Sequence, residues 1–88
     1  MLNKGIVFIG GGNMAEGIIR GMVNNQVADS ANIRVYDVIQ ERMDYLNDTY
    51  GVVPVTDIKA AVKGCDIIFI AVRPQDIESV SARIKNDI

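Results

Sequence analysis

Apolar positions along the chain fall into two alternating kinds of segment. Ile6, Val7, Phe8 and Ile9 are consecutive apolar residues, the pattern of a short strand covered on both faces. Met14, Ile18, Met22 and, beside them, Ala15, Ile19, Val23 then recur at helical spacing, which predicts a helix over about residues 12–25. Met14 is accordingly expected to pack in the core. Gly17 and Gly21 lie inside this helix and cost up to about 1 kcal/mol each relative to alanine, so close approach of the sheet, a ligand or another helix is expected there. The polar run Asn24, Asn25, Gln26 closes the helix. Ile33 to Asp37 reads as a second strand. Met43, Leu46 and Tyr50 mark a second helix that stops at Gly51. Val52, Val53 and Val55 form a short third strand, and Pro54 places it at or near a sheet edge. Thr56 or Asp57 caps a short helix running to about Lys63, which Gly64 ends. Ile67 to Ala71 is an unbroken apolar strand that suggests a central place in the sheet. Pro74 suits the first turn of a last helix whose stripe is Ile77, Val80, Ile84 and Ile88.

Strands alternating with helices define the α/β class and a parallel sheet. The expected architecture is a Rossmann-type doubly wound sheet with strand order 3-2-1-4, truncated after the fourth βα unit, and with ligand outside the carboxyl ends where the order reverses. The complete dinucleotide fold has further strands. Residues 1–88 are therefore read as one incomplete dinucleotide-binding domain, the front part of a longer protein.

The chemistry sits where the first strand meets the first helix. Gly10, Gly12 and Ala15 fit the dinucleotide fingerprint G-x-G-x-x-G/A. Gly10 permits a sharp exit from the strand, Gly12 keeps side-chain atoms out of the space of a pyrophosphate, and Ala15 lets the helix pack closely. The helix start adds free N–H groups and a partial positive charge. Glycines also mark ordinary turns, but the strand-turn-helix setting is the one the fingerprint requires. Asn13 is suited either to donate to phosphate or to cap the helix. Asp37 ends the second strand about 20 residues beyond the fingerprint, where an acidic residue reads the ribose 2′-hydroxyl and repels a 2′-phosphate. Its other reading is a cap on the helix that follows. Arg42 is read as a solvated charge near Glu41, within possible reach of a 2′-phosphate. Tyr36 and Tyr50 are read as packing residues, and Asp44, Asp48 and Glu78 as solvated charges.

Composition narrows the alternatives. The 88 residues are 49% hydrophobic and 23% charged, with net charge −2, and the pI is near 4.8. That describes a globular domain and does not favour nucleic acid as a partner. No apolar run approaches a membrane span of about 20 residues, and Asn3, Lys4 and Gly5 lead into a strand rather than a signal peptide. A cytoplasmic location is expected. One cysteine and no histidine leave no disulfide framework, no zinc cluster and no Ser-His-Asp or Cys-His set. Cys65 is expected to be a half-buried packing residue. No residue is assigned to catalysis or to a metal.

Two longer phrases, FIGGGNMAEGIIRGM and GCDIIFIAVRPQDI, resemble pyrroline-5-carboxylate reductase. Members of that family carry a G-x-G-N-M-A turn and a strand ending in A-V-K/R-P-Q. Reductases that use the deazaflavin F420 share the first motif and the broad architecture. The resemblance covers essentially the whole chain but only the front of the family's length. It implies hydride transfer from NADPH or NADH to 1-pyrroline-5-carboxylate, giving L-proline, with NADP or NAD as cofactor. It places Gly11, Gly12, Asn13 and Met14 in the phosphate-binding turn and Ala71, Val72, Arg73 and Pro74 on the nicotinamide ribose side; Ile9, Gly10 and Asp37 complete the expected cofactor-binding residues. Many members have a polar, uncharged residue where Asp37 stands and prefer NADP. Ile58 departs from a frequent asparagine near the adenosine ribose. The substrate site and dimer interface belong to a helical rear domain absent from these residues, so the full-length protein is expected to be a homo-oligomer. The alternatives are another imine reductase, an F420-dependent NADP reductase, or a nucleotide-sensing module without chemistry.

Overall fold

A computed structural model describes residues 4–72 and Ala82. The elements are β1 (Ile6–Ile9), α1 (Asn13–Asn24), a 3-10 turn (Ser30–Asn32), β2 (Ile33–Tyr36), α2 (Gln40–Tyr50), β3 (Val53–Pro54), α3 (Ile58–Val62) and β4 (Ile67–Ile70). All strand pairs are parallel, in the order β3-β2-β1-β4. The order deduced from the sequence is thus the observed one. The last helix expected from Pro74 onward, with Ile77, Val80, Ile84 and Ile88, lies outside the described residues.

β1 is the axis of the fold, and none of its residues is exposed. Ile6 and Phe8 face a core that contains Ala15 and Ile19 of α1, Met43 and Leu46 of α2, and Ile33 and Val35 of β2. Val7 and Ile9 face Ile58, Ala61 and Val62 of α3. Helices therefore cover both faces of the sheet, α1 and α2 on one and α3 on the other. Phe8 lies in register with Phe69, and their rings stack with centroids 4.8 Å apart and planes 7° from parallel.

Local stops follow the expected chemistry. Gly51 ends α2 at φ 80°, and its N–H donates to the Asn47 carbonyl. Gly64 follows α3 at φ 72°. Of the two candidate caps on α3, Asp57 is the cap, its side chain accepting from Ala60 N at 3.3 Å. The other end of α3 is closed by Arg34 of β2, whose Nη1 donates to the carbonyls of Ala60, Ala61 and Lys63. A cation there complements the free carbonyls of a helix terminus.

Three expectations are corrected. Met14 is 71% exposed rather than packed, because it occupies the first turn of α1, where the described residues place no facing layer. A Cβ on Gly17 or Gly21 meets nothing within 4 Å, so neither marks a close approach among the described residues. β4 stands at the end of the described sheet and is only half-buried, despite an apolar run that suits a central strand. Ile58, read as a departure from a ribose-side asparagine, is fully buried against Val7 and Ile9 in the core.

Candidate functional site

The candidate site lies at the carboxyl end of β1, between β2 and β4. The chain leaves β1 through Gly10, whose φ is +108°. Its N–H donates to the Tyr36 carbonyl at 2.7 Å, and the neighbouring Ile9 carbonyl accepts from Ala71 N at 2.8 Å. A Cβ at Gly10 would lie 2.5 Å from the Ala71 oxygen. Glycine is therefore required twice, by backbone conformation and by the closeness of the segment after β4. Ala71 and Val72, singled out from the sequence, are thereby brought against the turn. Arg73 and Pro74 lie outside the described residues.

Gly12 differs in kind from Gly10. It precedes α1 with φ −78° and ψ −167°, a conformation open to any residue. Among the described residues a Cβ there meets nothing within 4 Å. The described residues leave the space in front of Gly12 open, and the first turn of α1 begins beside it. Glu16 N bonds the Gly12 carbonyl at 2.9 Å, which starts the helical ladder. The preceding amides have no intrahelical acceptor, and the described residues give those of Gly12, Asn13 and Met14 no other partner. Three free donors at a positive helix end facing open space suit a phosphate group. Asn13 is the first helical residue and does not cap α1, since Gly12 occupies the cap position without a side-chain bond. Ala15 is fully buried, as its place in the fingerprint demands. Ile9 is fully buried too, its side chain directed into the α3 face of the core.

Asp37 closes on the turn. Its Oδ2 accepts from Gly11 N at 2.7 Å, and its Oδ1 accepts from Ile39 N at 2.9 Å. The helix-cap reading is corrected, because Ile39 occupies the cap position of α2 with no side-chain cap bond. An ionised carboxylate offers about four acceptor sites, so these two bonds leave capacity for a ribose hydroxyl. Val38 and Ile39, directly after Asp37, are 85% and 55% exposed.

A polar cluster joins this site from α1 and α2. Arg42 Nε donates to the Gly11 carbonyl. Its Nη2 meets Glu16 Oε1 at 2.6 Å, and its guanidinium lies 4.9 Å from the centre of the Tyr45 ring. Tyr45 and Tyr50 donate their hydroxyls to Glu16 Oε2 at 2.6 and 2.8 Å. Tyr45, Arg42 and Tyr50 together lower the Glu16 pKa from its ordinary 4.5 to about 2. The same carboxylate raises both tyrosines, since ionising either hydroxyl would remove its hydrogen bond to an anion. Arg42 is thus not the solvated charge expected from the sequence, and Tyr50 packs against the core while also serving this cluster. Cys65 is half-buried as expected. Its thiol donates to the Ala61 carbonyl at 3.1 Å, and burial raises its pKa, an inert setting for a thiol.

No group of three or more histidine, cysteine or acidic residues able to hold a metal occurs among the described residues. No helix among them is long and apolar enough to cross a membrane.

Parallel strands wrapped on both faces, with a glycine turn leading from the first strand into a helix, define a Rossmann-type α/β domain. Residues 5–88 match the family model described as NADP oxidoreductase, coenzyme F420-dependent, and the chain belongs to that family. It is 33% identical to a pyrroline-5-carboxylate reductase of Methanosarcina acetivorans, over 100% of this chain and 33% of the relative. It is 37% identical to one from Staphylococcus saprophyticus, over 91% of this chain and 30% of the relative. Among solved structures, a pyrroline-5-carboxylate reductase from Coxiella burnetii superposes with a TM-score of 0.91 at 30% identity, covering 97% of this chain and 31% of that one. A pyrroline carboxylate reductase from Plasmodium falciparum, solved with NADP bound, gives 0.82 at 24% identity and covers 99% of this chain and 30% of that one, a likeness of fold. The chain spans about a third of the length of the relatives it matches.

Proposed function

We propose that this chain is the cofactor-binding portion of a pyrroline-5-carboxylate reductase, serving NADPH- or NADH-dependent formation of L-proline. The observation that carries the cofactor assignment is the space that the described residues leave open before Gly12, next to amides at a helix start to which those residues give no partner. The relatives named as pyrroline-5-carboxylate reductases support the reaction.

In this reading the amides of Gly12, Asn13 and Met14 hold the diphosphate, and Gly10 and Gly11 shape the turn. Asp37 offers its remaining acceptor capacity to the adenosine ribose. Ala71 and Val72, with Arg73 and Pro74, line the nicotinamide ribose side. A bound reduced nicotinamide supplies the hydride for the substrate C=N carbon. No catalytic residue is assigned to these 88 residues, and none to a metal. Substrate handling and self-association into a homo-oligomer fall to a helical portion outside them. The acidic pI of 4.8 suits a small-molecule enzyme rather than a nucleic-acid or membrane-surface binder, and a cytoplasmic setting is proposed.

Calorimetric titration of this chain with NADPH and with NADH tests the cofactor assignment. Both nucleotides are needed, because the Asp37 charge favours NADH whereas the family description names NADP. Saturable binding of at least one is expected. Absence of binding at millimolar nucleotide contradicts the assignment. That family description also favours a second reading, reduction of NADP by reduced F420. Proline formation from 1-pyrroline-5-carboxylate by the protein that carries this chain supports the first reading. Reduction of NADP by reduced F420, without proline formation, supports the second.

A further inference from the structure

Gly11 is held on both sides. Its N–H donates to Asp37 Oδ2 at 2.7 Å, and its carbonyl accepts from Arg42 Nε. The same guanidinium reaches Glu16 Oε1 at 2.6 Å, with side-chain exposures of only 25% for Arg42 and 15% for Glu16. A side chain of α2 therefore ties the turn to the first turn of α1. Two features of the site make this tie consequential. Gly11 is the residue directly before the amides that face the open space, so its orientation governs theirs. Glu16 is the acidic residue of α1's first turn, and a free carboxylate there would oppose an anion at that helix end. An isolated surface ion pair contributes little. Here the pair is partly buried, shares its guanidinium with a backbone carbonyl, and is closed by two tyrosine hydroxyls.

We propose that Arg42 is a positioning residue for the phosphate-binding turn, holding Gly11 by its carbonyl and Glu16 by its carboxylate so that the turn stays aimed and the nearby charge stays neutralised. This rests on the cofactor reading above and adds to it a residue that need not touch the ligand. The role differs from a direct contact with a 2′-phosphate, and a ligand lacking that group separates the two.

ADP-ribose is such a ligand, since it carries the diphosphate without a 2′-phosphate. Its affinity for this chain is measured by calorimetry, with circular dichroism melts as a check on folding. Arg42→Met is expected to weaken ADP-ribose by about tenfold, the scale of a lost charged hydrogen bond plus an exposed like charge. Adding Glu16→Gln to Arg42→Met is expected to recover about threefold, because the uncompensated carboxylate is gone. The loss in Arg42→Met is also expected to shrink as salt rises. Arg42→Lys keeps the charge but cannot span both acceptors as a planar fork does; it is expected to lose affinity less than Arg42→Met, and it carries the test if Arg42→Met does not fold. Binding of ADP-ribose by folded Arg42→Met or Arg42→Lys at the wild-type level overturns the proposal. So does a double variant that recovers nothing, which would leave Arg42 a structural strut. Failure of the wild-type chain to bind ADP-ribose overturns the cofactor reading itself, and this inference with it.

Discussion

Gly10→Ala places a methyl group where the fold has no room. The residue sits at φ +108°, a conformation whose occupation by a side-chain-bearing residue costs about 1–3 kcal/mol. The added carbon would lie 2.5 Å from the Ala71 oxygen and 2.8 Å from the Ala71 carbonyl carbon. Both atoms are backbone and cannot rotate away, so the segment after β4 must shift. The Ala71 N–H bond to the Ile9 carbonyl, 2.8 Å in the native chain, is the first to suffer. Overpacking of this kind adds about 1–3 kcal/mol. A total near 3 kcal/mol is a large share of the roughly 4–13 kcal/mol expected for a domain of this length. Each kcal/mol moves the midpoint by about 4–8 °C in domains of this size, so the melting temperature should fall by about 12 °C or more. A far-UV circular dichroism melt of wild type and variant measures it. A fall of less than about 4 °C would refute the reasoning, because it would mean that the turn accommodates the methyl without straining its contact with Ala71.

Gly12→Val is the complementary change. Its backbone is unstrained and the described residues leave its surroundings open, so the variant should fold with a loss of about 1 kcal/mol yet fail to bind NADPH or NADH in calorimetry; wild-type affinity would remove Gly12 from the site. Asp37→Ser should shift the NADPH-to-NADH affinity ratio toward NADPH by removing a negative charge, and should weaken both because Gly11 N loses its acceptor. An unchanged ratio in paired titrations would take Asp37 away from the ribose. The Glu16 pKa lies below its ordinary 4.5, at about 2. The stability it contributes is therefore complete above the unfolded value and lost as pH falls toward the folded one. Urea midpoints of wild type should fall relative to those of Glu16→Gln between about pH 4.5 and 2, and parallel curves across that window would count against the cluster.

What the sequence discloses here is what short stretches of chain control. The β1 turn and the start of α1 were legible because apolar run, glycines and small residue act on one another within a few positions. The same holds for Gly51, Gly64 and Asp57, each a local stop or cap. Alternation gave the parallel sheet, and the glycine fingerprint, by pointing to the dinucleotide fold, gave the strand order. The Glu16, Arg42, Tyr45 and Tyr50 cluster was not legible, since its bonds join residues 26, 29 and 34 positions apart. An arginine on a helix carries no mark of the carbonyl it will meet. The spacing of Tyr45 and Tyr50 gives no signal either, since residues five apart on a helix do not share a face; their long side chains converge on Glu16 only in the folded chain. Met14 lies on the apolar stripe yet is exposed, because helical spacing gives the direction of a stripe but not where the facing layer ends. Sequence position suits Asp37 to face a ligand or cap a helix, whereas its oxygens first serve the amides of Gly11 and Ile39. Its distance from Gly11 in sequence hid that bond.

Amide chemical shifts followed by ¹⁵N NMR during an NADPH titration test most directly whether this turn seats a diphosphate. Saturable shifts centred on Gly12, Asn13 and Met14, with weaker ones at Gly11 and Asp37, are the predicted result. Saturable binding that leaves those three amides unmoved would contradict the account.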